Sequence, residues 1–328
     1  MKTKIPLVTE ITLSAQFVRS LVWAGDFLVD WAGGGARYAL DGRFIPSAVN
    51  YAFLFDAAIA TPDGRCAVIY QKLGTKGLVL KDGKILREIN RSFYHAHAYE
   101  YPVAVSQLPD GRHILLHCPD DYNRLEIDDF LTGERLTVSA SRKPQDFFHS
   151  RLSISRNGRF ALSAGWVWQP TDGVLLFDLA LAIHEPNHLD ECGFVDICLA
   201  EESCAVFDVT GRAWVALYGD INEEIELNEV RVIDPTHTEC EQVFKIKDRA
   251  GSIFPIGNSH VLSLYEHPKL IELGSGKVVQ SWSHINSGKQ HSSILINQAE
   301  VPVMVFDCAG QRVAIAGQDG ISVLVFET

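Results

Sequence analysis

The sequence predicts an all-β fold in which seven repeated units of four short strands close into a ring. Three observations predict it. A glycine-containing turn recurs along the chain, a second hairpin follows each copy of that turn, and the C-terminal unit is one strand short. Together these features account for essentially all of the 328 residues, so we expect a single domain over residues 1–328.

The recurring turn lies between two apolar runs. Clear copies are "TPDGRCAVIY", "LPDGRHILLH", "SRNGRFALSA", "DVTGRAWVAL" and "DCAGQRVAIAG", and weaker copies are "VWAGDFLVDW" and "FPIGNSHVLSL". Asp-Gly and Asn-Gly between apolar runs favour a tight hairpin, because such turns need residues with positive φ. The glycines of the seven copies are Gly25, Gly64, Gly111, Gly158, Gly211, Gly257 and Gly310.

Each copy continues with an apolar strand, another turn and a fourth strand, as in "GLVLKDGKILREI" and "PKLIELGSGKVVQSW". A unit of four strands that repeats every ~40–50 residues is typical of a propeller blade. The chain therefore resembles a seven-bladed β-propeller of the WD-repeat-like type. The resemblance concerns architecture alone, since neither a Trp-Asp nor a Gly-His dipeptide occurs.

The last unit contains only three strand-like runs, "VPVMVFD", "RVAIAG" and "ISVLVFE". We expect the N-terminal segment "IPLVTEITLSA" to add the fourth strand and close the ring, because closure removes exposed sheet edges. One connection, residues 181–193, is longer than its equivalents. The segment "FDLALAIHE", which overlaps the start of this connection, predicts one or two helical turns that end before Pro186.

Composition excludes some classes of function. The net charge is −12, which argues against a nucleic-acid binder and favours a basic partner. The seven cysteines are odd in number and several lie in apolar runs, so we expect reduced, buried thiols in a cytoplasmic protein. No apolar run approaches the ~20 residues of a membrane helix, and the N-terminus does not resemble a signal peptide.

The stretch "RSFYHAHAYEYP", residues 91–102, connects the second and third predicted blades. Such connections lie on the face where propellers usually bind other molecules. If the segment is extended, His95 and His97 lie on the same side and could chelate a transition metal with a third ligand. A protein-binding surface and a purely structural loop are the alternatives, and all three remain open.

Other connections on the same face add aromatic and acidic side chains. Tyrosine, tryptophan and arginine commonly anchor protein interfaces. The alternatives are that the tryptophans pack between blades and that the acidic run is a solvated loop. The predicted partner-binding residues are Tyr94, His95, His97, Tyr99, Asp120, Asp121, Tyr122, Arg124, His149, Arg151, Trp166, Trp168, Asp220, Glu223, Glu266 and His267.

A second possible metal site is formed by His184, His188, Cys192 and Cys198, although their spacing does not match a standard zinc finger. The sequence contains no Gly-x-Ser-x-Gly elbow and no His-Glu-x-x-His motif. We therefore predict no catalytic residues and no cofactor.

The favoured hypothesis is a non-enzymatic cytoplasmic propeller that binds a protein partner, with no nucleic acid or membrane involved. A narrower version is an immunity-type inhibitor of a basic toxin, because an acidic binder associates rapidly with a basic partner. One alternative is a metal-dependent hydrolase or lyase at the channel mouth, using His95, His97, His149 and His267. Another is a scaffold subunit of a larger assembly.

Overall fold

The computed structural model describes residues 4–168, 171–191, 194–220, 226–290, 292–296 and 301–327, without the side chains of 191, 194–198, 220, 226 and 227. Seven antiparallel sheets form the blades of a β-propeller, and the blades are numbered in chain order. The predicted fold class is confirmed.

Strands run outward through each blade from the innermost to the outermost position. Blade 1 consists of β2 (Val22–Ala24), β3 (Phe27–Asp30), β4 (Ala36–Ala39) and β5 (Phe44–Ile45). Blade 2 consists of β6 (Ala57–Ala60), β7 (Cys66–Tyr70), β8 (Lys76–Lys81) and β9 (Lys84–Asn90). Blade 3 consists of β10 (Val103–Gln107), β11 (His113–His117) and β12 (Glu126–Asp129).

Blade 4 consists of β13 (Leu152–Ile154), β14 (Phe160–Val167), β15 (Thr171–Asp178) and β16 (Phe194–Ala200). Blade 5 consists of β17 (Glu202–Phe207), β18 (Ala213–Asp220), β19 (Glu226–Asp234) and β20 (Glu239–Lys245). Blade 6 consists of β21 (Ile253–Ile256), β22 (His260–Ser263), β23 (Lys269–Glu272) and β24 (Lys277–Ser281). Blade 7 consists of β25 (Met304–Asp307), β26 (Arg312–Ala316), β27 (Ile321–Glu327) and the N-terminal strand β1 (Leu7–Leu13).

The two ends of the described chain meet in blade 7. Strand β1 pairs antiparallel with β27, in a register that runs from Leu7 opposite Glu327 to Leu13 opposite Ile321. The predicted ring closure is confirmed, and the N-terminal strand covers an edge of β27 that would otherwise be exposed.

Six of the seven repeat glycines adopt positive φ, as the hairpin interpretation predicts. At Gly158 there is a second constraint, because an added Cβ would lie 2.1 Å from the carbonyl oxygen of Gln107 in the neighbouring blade. The last copy differs. There Gln311, with φ of 46°, takes the left-handed conformation instead of Gly310.

Blade 3 departs from the predicted four strands. Its sheet contains three, and a single bridge between Asp128 and Arg135 marks the position of the fourth. The Thr137 hydroxyl accepts a hydrogen bond from the amide of Ile127 at 3.0 Å. A side chain thus replaces a ladder hydrogen bond of the missing strand.

The core lies between adjacent blades, because successive side chains of a strand point toward opposite neighbours. Leu162 and Val174 of blade 4 pack in this way against Val215 of blade 5, and all three are fully buried. The innermost strands surround a central channel with a cavity of about 1300 Å³.

The predicted helical turns are present in the connection between β15 and β16. Helix α1 (Leu179–His184) begins after Asp178, whose carboxylate accepts hydrogen bonds from the amides of residues 180 and 181. It ends before Pro186, and a single turn, α2 (His188–Glu191), follows. In the described part of the chain, neither helix is long and apolar enough to cross a membrane.

Candidate functional site

Seven of the predicted residues converge in one group of rings on the face that carries the connections between blades. We call this group, together with Phe148, the aromatic cluster. Four different segments supply its members, namely the blade 2–3 connection, the blade 3–4 connection, the β11–β12 connection and the end of β14 with the residue that follows it. Its members are Tyr94, His95, His97, Tyr99, Tyr122, Phe148, Trp166 and Trp168.

The floor of the aromatic cluster is buried. The rings of Phe148 and Trp166 stack with centroids 3.9 Å apart and planes at 11°. Tyr99 packs edge-on against Phe148 at 5.5 Å. Tyr99, Phe148 and Trp166 are 0%, 0% and 3% exposed, so they support the surface from beneath.

A close approach of two backbones positions this floor. The amide of Phe148 donates to the carbonyl of Trp166 at 2.8 Å, and the amide of Trp166 donates back at 3.2 Å. An added Cβ at Gly165 would lie 2.0 Å from the Phe148 carbonyl oxygen. Only glycine at this position allows the blade 3–4 connection to lie against β14.

The upper rings of the cluster are open to solvent. Tyr94 is 46% exposed and Trp168 is 44% exposed, while neighbouring Phe93 is 85% exposed. His95 packs edge-on against Trp168 at 5.0 Å and against Tyr94 at 4.5 Å. Edge-to-face contacts of this kind hold aromatic rings in defined orientations.

Arg91 organises the loop that carries four of these rings. Its buried guanidinium donates to the carbonyls of Gly74, Ala96 and Tyr99 at 2.7, 2.6 and 2.9 Å. It also lies over the Tyr99 ring, 4.6 Å from the centroid. Burial lowers the pKa of Arg91. No role was predicted for this residue, although the sequence places it at the start of the loop.

The loop is not extended. The amides of Ala96 and Ala98 donate to the carbonyls of Phe93 and His95, which closes two successive turns. His95 has a φ of 52°, a left-handed conformation that is uncommon for residues other than glycine, although histidine adopts it more often than most. The condition on which the paired-histidine metal site depended is therefore not met, although the rings of His95 and His97 lie 6.1 Å apart.

Among the described residues, no three metal-ligating side chains come together. His149 is buried, with its Nδ1 3.1 Å from the Ser163 hydroxyl, and burial lowers its pKa to about 3. His267 lies in the β22–β23 turn of blade 6. The hydrolase alternative required these two to meet His95 and His97, and the described structure does not bring them together.

The second candidate metal site is only partly described. His184 ends α1, and His188 begins α2, where its Nε2 accepts a hydrogen bond from the amide of Asp178 at 3.2 Å. Cys192 and the side chain of Cys198 lie outside the described residues.

The charged residues next to the cluster differ in how they are paired. Asp120 forms an ion pair with Arg135 at 2.7 Å, and Arg124 forms one with Glu126 at 2.6 Å. Asp121 is exposed.

Asp146 is also exposed, and it accepts a hydrogen bond from the Tyr122 hydroxyl at 2.6 Å. Burial raises the pKa of Tyr122, and this bond to the carboxylate raises it further.

The remaining predicted residues lie elsewhere on the ring. Glu266, with φ of 67°, pairs with Lys289 at 3.2 Å, which lowers the pKa of the carboxyl. Asp220 is the last residue of β18, and its side chain, like Glu223 as a whole, lies outside the described part of the chain. These residues are therefore not shown to join the cluster.

A long connection between blades 6 and 7, residues 282–303, was not predicted from the sequence. We call its described residues, 282–290, 292–296 and 301–303, the strap. The amide of Leu295 donates to the carbonyl of Ala98 at 2.6 Å, and Ile294 forms a bridge with Tyr99. Because blades 3 and 4 lie across the ring from blades 6 and 7, the strap crosses the channel mouth. The sequence did contain a signal for the strap, because about 20 residues separate the two apolar runs on either side of it.

Asp172 holds the strap. Ser293 donates to this buried carboxylate from its hydroxyl at 2.6 Å and from its amide, and the amide of Ser203 donates at 3.1 Å. Burial raises the pKa of Asp172. The predicted residue Arg151 lies 3.9 Å away and donates to the carbonyls of Ser203 and Ala164 at 2.7 and 3.1 Å.

Comparison of the sequence with protein-family models and with curated proteins finds no significant match.

Proposed function

We propose that this propeller binds a protein partner through the exposed part of the aromatic cluster and the carboxylates beside it. One observation carries the proposal. Tyr94 and Trp168 are about half exposed, yet both pack on the buried stack of Phe148 and Trp166. Large exposed rings on a rigid base are what interface anchors require, because little conformational entropy is lost when the partner docks.

The preorganisation of the loop supports the same proposal. Arg91 fixes the backbone around the rings with hydrogen bonds to several carbonyls. His95 is held in a left-handed conformation, and such strain is often retained at functional sites.

Charge supports a basic partner. The chain has a net charge of −12, and Asp121 and Asp146 are exposed at the edge of the cluster. Such a field would accelerate encounter with a positively charged protein, with an on-rate that falls as salt screens it.

A narrower proposal is that the basic partner is a toxin and that the propeller acts as an immunity-type inhibitor. It would act in the cytoplasm, which the buried thiols of Cys66, Cys118 and Cys204 favour. Deletion of the gene should then sensitise the host to one basic toxin, and the Trp168→Ala variant should restore less protection than the wild type.

Photo-cross-linking from defined positions tests the proposal. A benzophenone amino acid replaces Trp168 in one variant and Val209 in a control. Val209 is 49% exposed in the β17–β18 turn, on the opposite face. We expect one protein to be cross-linked from position 168 and not from position 209. This cross-link should disappear when Tyr94→Ala is added. Cross-linking of several proteins from both positions would indicate a scaffold instead, and would overturn the proposal.

A further inference from the structure

We propose that the exposed aromatic surface receives an arginine side chain of the partner. This inference rests on the proposed protein-binding function and specifies its chemistry. The arginine site consists of the exposed rings of Tyr94 and Trp168 together with the carboxylates of Asp121 and Asp146.

The rings of the arginine site present fixed surfaces to solvent. Trp168 stands at 90° to the ring of Phe148 at 5.3 Å, and Tyr94 lies nearly parallel to Phe148 at 5.9 Å. Neither is free to collapse onto its neighbours, because the space beneath is filled by the buried stack. An exposed indole or phenol face attracts a cation through its quadrupole.

The arginines of this protein around the site already have acceptors. Arg124 pairs with Glu126, and Arg135 pairs with Asp120. Arg142 is fully buried between Glu126 and Asp190, at 3.3 and 2.8 Å.

The exposed carboxylates, in contrast, have no cationic partner within the described residues. Asp146 uses Oδ1 to accept from Tyr122, and Asp121 contributes only its backbone carbonyl to a hydrogen bond with Arg124. The Tyr122 ring lies 4.9 Å from that of Tyr94, so Asp146 borders the same set of rings. The site therefore combines aromatic faces with negative charge that the described part of the chain does not neutralise.

This combination favours arginine over lysine. A planar guanidinium stacks on a ring while its edge donates to a carboxylate, whereas an ammonium is a compact point charge. The protein itself contains the arrangement elsewhere. Arg312 lies 3.9 Å from the centroid of the Trp23 ring and pairs with Asp307 at 2.9 Å.

The test uses three capped peptides of equal length in which a central residue, flanked by glycines, is arginine, lysine or citrulline. Binding is measured by calorimetry and by the indole N–H signals of the protein in NMR spectra at physiological salt. We expect the arginine peptide to bind and to shift the Trp168 signal, the lysine peptide to bind about 5-fold more weakly, and the citrulline peptide not to bind.

Variants of the protein distinguish recognition by the arginine site from unspecific attraction to an acidic protein. Trp168→Ala should weaken binding of the arginine peptide about 10-fold, and Asp146→Asn should weaken this binding by about 3-fold or more. Glu241→Gln is the matched control, because Glu241 is an exposed carboxylate on the outer strand of blade 5. It should leave binding unchanged. Trp168→Phe, which keeps a ring, should recover part of the affinity.

Equal binding of the arginine and lysine peptides, unaffected by Trp168→Ala, would overturn the inference and indicate unspecific attraction to an acidic protein. Failure of the inference and failure of the proposed function are distinguishable. If the cross-linker at position 168 captures one partner while the arginine peptide does not bind, the surface still binds protein but does not recognise arginine.

Discussion

Phe148 and Trp166 are joined twice, by a ring stack with centroids 3.9 Å apart and by two backbone hydrogen bonds. The first residue belongs to the blade 3–4 connection and the second to β14. This pair attaches the connection to blade 4 and forms the base on which Tyr94 and Trp168 rest. Stability and surface shape are therefore coupled at this point.

Gly165→Ala should break this attachment. The added methyl group would lie 2.0 Å from the Phe148 carbonyl oxygen, so the connection must move away from β14. We expect a loss of about 2 kcal/mol or more in the free energy of unfolding, measured with urea. Gly274→Ala is the control, since nothing lies within 4 Å of its added Cβ. Equal stability of both variants would contradict the prediction.

Arg91→Lys should loosen the blade 2–3 connection although it keeps the charge. A lysine cannot reach the carbonyls of Gly74, Ala96 and Tyr99 together, and a buried cation without its acceptors is costly. We expect a loss of about 3 kcal/mol in unfolding free energy and a shift of the Trp168 indole N–H signal in NMR spectra.

The matched control is Arg43→Lys, because Arg43 pairs with Asp41 at the surface with 72% of its side chain exposed. It should leave stability unchanged. An Arg91→Lys protein as stable as this control would show that the guanidinium does not organise the loop.

Asp172→Ala should release the strap. Without the carboxylate, the amide and hydroxyl of Ser293 and the amide of Ser203 lose their acceptor. Hydrogen exchange at residues 293–295 should accelerate by about 10-fold or more, since a lost charge-assisted bond is worth ~1.5–3 kcal/mol. Exchange in β7 of blade 2, which does not contact Asp172, should stay unchanged. Protection of residue 295 equal to the wild type would mean that the strap does not depend on Asp172.

His149 should make the fold sensitive to acid. Burial lowers its pKa to about 3, so between that value and the ordinary value of about 6.5 the unfolded chain binds a proton that the folded protein does not. The free energy of unfolding is therefore not reduced by His149 above pH 6.5. As the pH falls below that value, it decreases by up to about 1.4 kcal/mol per pH unit because of this residue. His149→Gln should reduce this slope in urea titrations at pH 7 and pH 5. His237→Gln, an exposed control, should not.

Many residues of the candidate site could be identified from the sequence, but their arrangement in space could not be predicted from it. Tyr94, Tyr122 and Trp168 were identified because they lie in connections on one face. Their convergence depends on the paths of four loops, and no periodicity governs those paths. His149 was assigned to the same surface, yet it is buried against Ser163. Whether the exposed members bind a protein remains a prediction.

By itself, the sequence determined the repeating blades and the closure of the ring. Those features follow from local chemistry, since glycine allows positive φ in each hairpin and the last unit lacks a strand that β1 supplies. Only the tertiary structure decided the turn at His95, the three-stranded sheet of blade 3 and the strap across the channel. The turn at His95 depends on Arg91, which also binds the carbonyl of Gly74, and the side chain of Thr137 bonds Ile127 in blade 3 where a fourth strand would pair. The strap depends on contacts between opposite blades, such as Ser293 with Asp172. Such contacts form only when the closed ring brings opposite blades to the same mouth.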